Sequence, residues 1–143
     1  MRLKNERGTA LIETALTLPV LLLVSIGIFE FGRAYQTQQV LTNAAREGAR
    51  VAILPGQPTG VVQARVTAYA TAGQIYNPTS ALATVTQTQV SIGGGNTAPG
   101  SKVTVTYPYS FMVLQPVARL VAKGSMVGKA FTMSVTAEMR NEQ

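Results

Sequence analysis

One side chain stands in a setting that calls for chemistry. Glu13 lies five residues past Gly8, at the front of Thr9–Phe29, a run of 21 residues with no other charge. Ionisable groups inside a membrane-length apolar run are costly and by default suggest a function. Glu13 is also only about 6 Å along a helix axis from Thr9, close enough to snorkel harmlessly to an interface. Taken alone, the glutamate leaves both readings open.

No other constellation in the chain supports catalysis. The 143 residues include no His, Cys, Asp or Trp. The usual imidazole and thiol catalysts and metal ligands are therefore missing. Glu6, Glu30, Glu47, Glu138 and Glu142 are scattered and offer no acid/base pair. Only Ser-Lys chemistry would remain, and Ser125 with Lys123 or Lys129 is a poor candidate. Gly93-Gly94-Gly95 precedes neither a Lys-Thr nor a Lys-Ser pair and opens no helix, so it reads as a hairpin loop and not a phosphate cradle. The expectation is a protein that is not an enzyme, with no catalytic residue, cofactor or metal. Without Cys, disulfides are excluded and the redox compartment stays open. The net charge of +6 is spread along the chain. It forms no basic stripe interleaved with aromatics, so no nucleic-acid partner is expected.

The elements around Glu13 are legible in the hydropathy. At ~1.5 Å per residue, Thr9–Phe29 would span about 31 Å of helix, which matches a hydrocarbon core of roughly 30 Å. Pro19 lies inside the run, and a kink or melted turn is predicted near Ala15–Pro19. A cleaved secretory signal would share the basic start, Arg2, Lys4 and Arg7. It would not share the early glutamate, and no small-x-small cleavage site follows directly. The helical pattern also continues past the apolar run, to Leu54. Phe31, Ala34, Leu41, Ala45, Gly48 and Ala52 recur at three- and four-residue spacing. Of these, Ala45, Gly48 and Ala52 make a small-residue strip that would allow close helix packing. Glu30 with Arg33, and Glu47 with Arg50, are three apart. Pro55-Gly56 ends the helix. Its length, about 69 Å, exceeds what a globule of this size needs, and lateral packing against copies or relatives would explain it.

Beyond the helix the sequence predicts a small head. Val61–Tyr76 reads as a second helix closed by Asn77-Pro78. Ala83–Ile92, Lys102–Tyr109 and Phe131–Met139 alternate as strands, with Gly93–Gly100 as a loop and Val113–Ala122 as a short apolar helix or loop. Tyr107-Pro108-Tyr109 reads as a packed strand end in preference to an adhesive patch. Phe111, Met112, Val113 and Leu114, with Leu120 and Val121, would cover the sheet or lie against the membrane or a partner. The fold class is α+β: a long N-terminal transmembrane helix, then a head with one helix and about three antiparallel strands. The expected divisions are a leader at 1–8, a transmembrane helix at 9–29, its extracytoplasmic continuation at 30–54 and the head at 55–143.

The basic leader, Gly8 and Glu13 together resemble the processing site of type IV prepilins. Arg7-Gly8, Glu13, Pro19, Gly27-Ile28-Phe29-Glu30-Phe31-Gly32-Arg33 and Ala44-Ala45-Arg46-Glu47-Gly48-Ala49-Arg50 look like the TadE-like family, the pseudopilins of the tight-adherence (Tad) pilus. The resemblance covers residues 7–54 strongly. It implies cleavage after Gly8 by a membrane-embedded prepilin peptidase and a new amine on Thr9. Glu13 would pair with that amine of a neighbouring subunit. Implied partners are other pilins or pseudopilins, the peptidase, the Tad assembly machinery and membrane lipid. Thr14 stands where a major Tad pilin usually has Tyr, and some ninety residues follow the helix. A minor or assembly pseudopilin is therefore implied. The implied location is the inner membrane, with the N-terminus cytoplasmic by the positive-inside rule. The rival reading is an uncleaved, single-pass, membrane-tethered binding module.

Overall fold

A computed structural model describes residues 6–121 and 129–141. The first element is a long helix, α1 (Glu6–Ala52). A second helix, α2 (Thr59–Ala72), and a 3-10 turn at Pro78–Ser80 follow. Two strands, β1 (Leu82–Gly93) and β2 (Asn96–Tyr109), precede a short helix, α3 (Leu114–Val121), and a last strand, β3 (Phe131–Arg140). The sheet is antiparallel in the order β1-β2-β3. A long apolar helix followed by a small head with a helix and three antiparallel strands is the α+β arrangement that the patterning predicts.

The chain divides into two compact units, Met1–Arg33 with Phe111–Lys129, and Ala34–Ser110 with Ala130–Gln143. The second unit has the larger core. Leu41, Ala44, Ala45 and Ala49 of α1, Val62, Val66 and Ala70 of α2, and Val103, Val105, Tyr107 and Tyr109 of β2 are buried. The β2 pattern is the period-two alternation of a strand with one face covered. Register sets Val85 opposite Val103 and Val103 opposite Ala137, so the apolar rows of all three strands share the core face. The other face carries Thr84, Thr104 and Thr136 in one row, and the Lys102–Glu138 ion pair at 2.9 Å in the next.

Polar groups stitch this unit together. Gln63 on α2 donates to the Ala81 carbonyl at 2.8 Å and accepts from the Ala83 amide at 2.7 Å, fixing the entry to β1. Buried Ser101 Oγ lies 3.1 Å from the carbonyl oxygen of Ala52, at the end of α1, and 2.7 Å from Asn141 Oδ1. The Tyr107 hydroxyl donates to the Tyr76 carbonyl.

Three local expectations change. The melted turn near Pro19 is absent, because residues 15–19 are helical. Proline removes one backbone donor, and the long helix on either side tolerates that loss. The second helix stops at Ala72, four residues short of Tyr76. Gln74 takes a left-handed φ of 54°, and the Ile75 amide bonds back to Ala70 and that of Gln74 to Thr71, a Schellman closure without glycine at the left-handed position. The loop assigned to Gly93–Gly100 is mostly strand. Gly94 and Gly95, at φ 62° and 79°, form a two-residue turn with Gly93 paired to Asn96, and β2 begins there. Positive φ at both central residues is the requirement of the type I′ hairpin turn.

Candidate assembly site on the long helix

In the first unit, every residue of α1 from Gly8 to Ser25 is exposed, and an 18-residue window of mean hydropathy 2.2 has none of its residues buried. Among the described residues, this is the one helix long and apolar enough to cross a membrane. Leu11 is 71% exposed and Leu16 69%, an apolar surface of the kind that marks a membrane or protein contact. The hydroxyls on this stretch fold back onto the backbone. Thr14 donates to the Ala10 carbonyl at 2.8 Å and Thr17 to that of Glu13 at 2.9 Å. Such back-bonding satisfies the hydroxyls without a partner chain. Glu13 is exposed on this surface, and among the described residues no basic side chain forms an ion pair with it. A Cβ built on Gly8 meets nothing within 4 Å.

The second constellation is the Ala44–Arg50 motif, in the second unit. Ala44, Ala45 and Ala49 have no exposed surface. Gly48 is buried, and a Cβ on it would lie 2.8 Å from Val66 Cγ2, 3.3 Å from Val103 Cγ1 and 3.4 Å from Val62 Cγ1. The strip read as a surface for lateral packing, Ala45, Gly48 and Ala52, thus has a different neighbour. Ala45 and Gly48 are buried within the second unit, where Gly48 meets α2 and β2 of the same chain, and Ala52 is half-buried. The charged residues of the motif lie along the rim. Glu47 Oε2 accepts from Arg65 Nη2 of α2 at 2.9 Å, and Oε1 from Arg50 Nη1 at 3.2 Å. The hydrogen bond from Arg65, with Arg50 behind it, holds the Glu47 carboxyl below the ordinary value of 4.5 against a smaller desolvation effect. Arg46 donates to Asn43 Oδ1 at 3.2 Å. The motif therefore joins α1 to α2, and the sequence showed only its local Glu47–Arg50 half.

The Glu30-Phe31-Gly32-Arg33 motif does similar work in the first unit. Glu30 is fully buried, unusual for a carboxylate. Its Oε1 accepts the Val113 amide at 2.5 Å, across 83 residues of sequence. Val113 precedes α3, and its carbonyl accepts from the Val117 amide at 3.1 Å, so it is the N-cap of that helix. A carboxylate there satisfies an end group and complements the helix dipole. Arg33 Nη1 lies 3.9 Å from Glu30 Oε2, and the Phe31 and Phe111 rings meet edge to face at 6.3 Å. The sequence suggested the Glu30–Arg33 pair by spacing. The contact to Val113 had no signal beyond a glutamate placed just past an apolar run.

Lys123 and Ser125 lie outside the described residues, as do residues 1–5 of the leader. No curated protein and no solved structure matches the chain. Residues 8–50, which contain the membrane-length run, Glu13 and both motifs, match the family model described as TadE-like protein.

Proposed function

We propose that this chain is a membrane-anchored pseudopilin or minor pilin that acts in the assembly of Tad-type adhesive pili, after a prepilin peptidase cuts between Gly8 and Thr9. The observation that carries the reading is Glu13, a carboxylate exposed on a bare apolar helix within the TadE-like match. In a bilayer a lone charge at that position is disfavoured. Cleavage would create a cationic amine on Thr9, and the amine of one subunit paired with Glu13 of the next would offset the cost of desolvating either. The helix enters the assembly; the head stays on the extracytoplasmic side. Its working partners are other pilins or pseudopilins, the peptidase and the Tad machinery, in the inner membrane with the N-terminus cytoplasmic.

The test is Glu13→Ala and Glu13→Gln in a host that depends on this chain for piliation. Both variants still insert and are expected to fail in pilus assembly. Wild-type piliation with Glu13→Ala would reduce Glu13 to a snorkelling side chain. The rival, an uncleaved tethered binding module, draws on one observation. The strip around Gly48 faces the chain's own head, so it is not an open surface for a neighbouring copy.

A further inference from the structure

The segment after β2 has no role in the assembly reading. It belongs to the same unit as the apolar part of α1. Two contacts attach it where the apolar run ends: the Glu30 carboxylate on the Val113 amide, and the Phe31 ring against Phe111. Around that level the unit exposes large apolar side chains. Phe29 is 60% exposed, Phe31 65%, Met112 57% and Val113 37%. Apolar side chains such as Phe on a membrane-surface element sink into the boundary between headgroups and acyl chains. α3 then adds an amphipathic turn, with Leu114 and Val117 three apart and half-buried, and Gln115 and Arg119 four apart. Arg119 and Lys129 are exposed cations of the same unit.

We propose that Phe111–Val121 is a membrane-surface element: clipped to α1 by Glu30, it seats Met112 and Val113 beside Phe31 in the headgroup region of the bilayer that α1 crosses. The occupant is lipid because the exposed patch is continuous with the membrane-length surface of α1, at the depth where hydrocarbon gives way to headgroups. Burying this surface in the interface would fix the depth of α1 through its contacts at Glu30 and Phe31. The exposed arginine and lysine favour anionic headgroups.

The inference rests on the membrane reading of α1, and one experiment separates the two. The chain has no tryptophan, so a single introduced indole reports alone. Full-length Met112→Trp, Leu22→Trp and Tyr76→Trp are reconstituted into vesicles of phosphatidylcholine and phosphatidylglycerol. The phosphatidylcholine is brominated either near the headgroup or near the acyl-chain end. The Met112→Trp indole should shift to the blue and lose most of its emission to the shallow bromines, and little to the deep ones. Leu22→Trp should be quenched by the deep bromines. Tyr76→Trp, on an exposed residue of the second unit, should be quenched by neither. If Leu22→Trp is quenched and Met112→Trp is red and unquenched, the segment is in water and the proposal fails. A blue-shifted but unquenched Met112→Trp indole means that protein covers the patch, which also overturns it. Failure of Leu22→Trp to respond would instead refute the membrane reading itself.

Discussion

Gly48→Ala is a substitution with a magnitude readable from the geometry. The added methyl would lie 2.8 Å from Val66 Cγ2, a separation that real Cβ contacts essentially never show, and 3.3 Å from Val103 Cγ1. Val66 is β-branched, fully buried and held on α2, so its methyl cannot swing away without leaving its rotamer. Overpacking of this kind costs about 1–3 kcal/mol. The helix propensity gain of alanine over glycine returns about 1 kcal/mol. The expected net loss is therefore roughly 0–2 kcal/mol, and the diagnostic is its sensitivity to Val66. Val66→Ala removes the obstructing methyls and alone opens a cavity. In the double variant the new methyl partly fills that space. The coupling between the two sites should favour the double variant by about 0.5–3 kcal/mol over additivity. Urea unfolding of the full chain in detergent, followed by the near-ultraviolet signal of the buried Tyr107 and Tyr109, gives the four midpoints of the cycle. Strict additivity, with Gly48→Ala as stable as wild type, would mean that α1 does not pack on α2 and β2 as described. Gly48→Leu should unfold the head before it can report on association between copies.

Two other perturbations address the charged residues. Because the folded-state pKa of Glu47 is lowered, its contribution to stability is present above the unfolded value near 4.5 and is lost as pH falls through the folded value. Glu47→Gln should therefore cost stability at neutral pH and converge with wild type in acid, read as urea midpoints across the pH range; a constant gap between them would exclude the ionised pair as the cause. Glu30→Ala strips the Val113 amide of a charge-assisted acceptor worth about 1.5–3 kcal/mol. Amide exchange at Val113 and Val117 should accelerate accordingly, with Glu30→Gln intermediate, and unchanged protection would show that α3 holds its place without the clip.

The parts of the fold that were legible are those where one residue's surroundings follow from its neighbours in sequence. Val103, Val105 and Tyr107 alternate with Lys102, Thr104 and Thr106 because a strand covered on one face imposes a period of two, and the sheet bears this out. The apolar run and the Pro55-Gly56 stop likewise gave the long helix to within two residues at its C-terminal end. The misread boundaries were set by backbone conformations that the composition disguises. Three consecutive glycines suggested a loop, whereas two of them make a tight turn that lets pairing start at Asn96. Gln74 does the work usually given to glycine. The least legible features are tertiary. Small residues at helical spacing state that something approaches closely. They do not state whether it is a neighbouring copy or, as at Gly48, the chain's own α2 and β2. Glu30 meets a backbone amide 83 residues away, and nothing in its local spacing names that partner.

A pseudopilin must be cut after Gly8. Because a Cβ on Gly8 meets none of the described residues within 4 Å, Gly8→Ala introduces no clash among them, and a failure of cleavage can be assigned to recognition by the peptidase. The measurement is the intact mass of the membrane-extracted protein, co-expressed with an active or an inactivated Tad-type prepilin peptidase. The expected result is loss of Met1–Gly8 with the active enzyme only, a new N-terminus at Thr9, and a blocked or slowed conversion in Gly8→Ala. A full-length mass beside a peptidase that processes its other substrates would contradict the pseudopilin reading and leave the tethered binding module in its place.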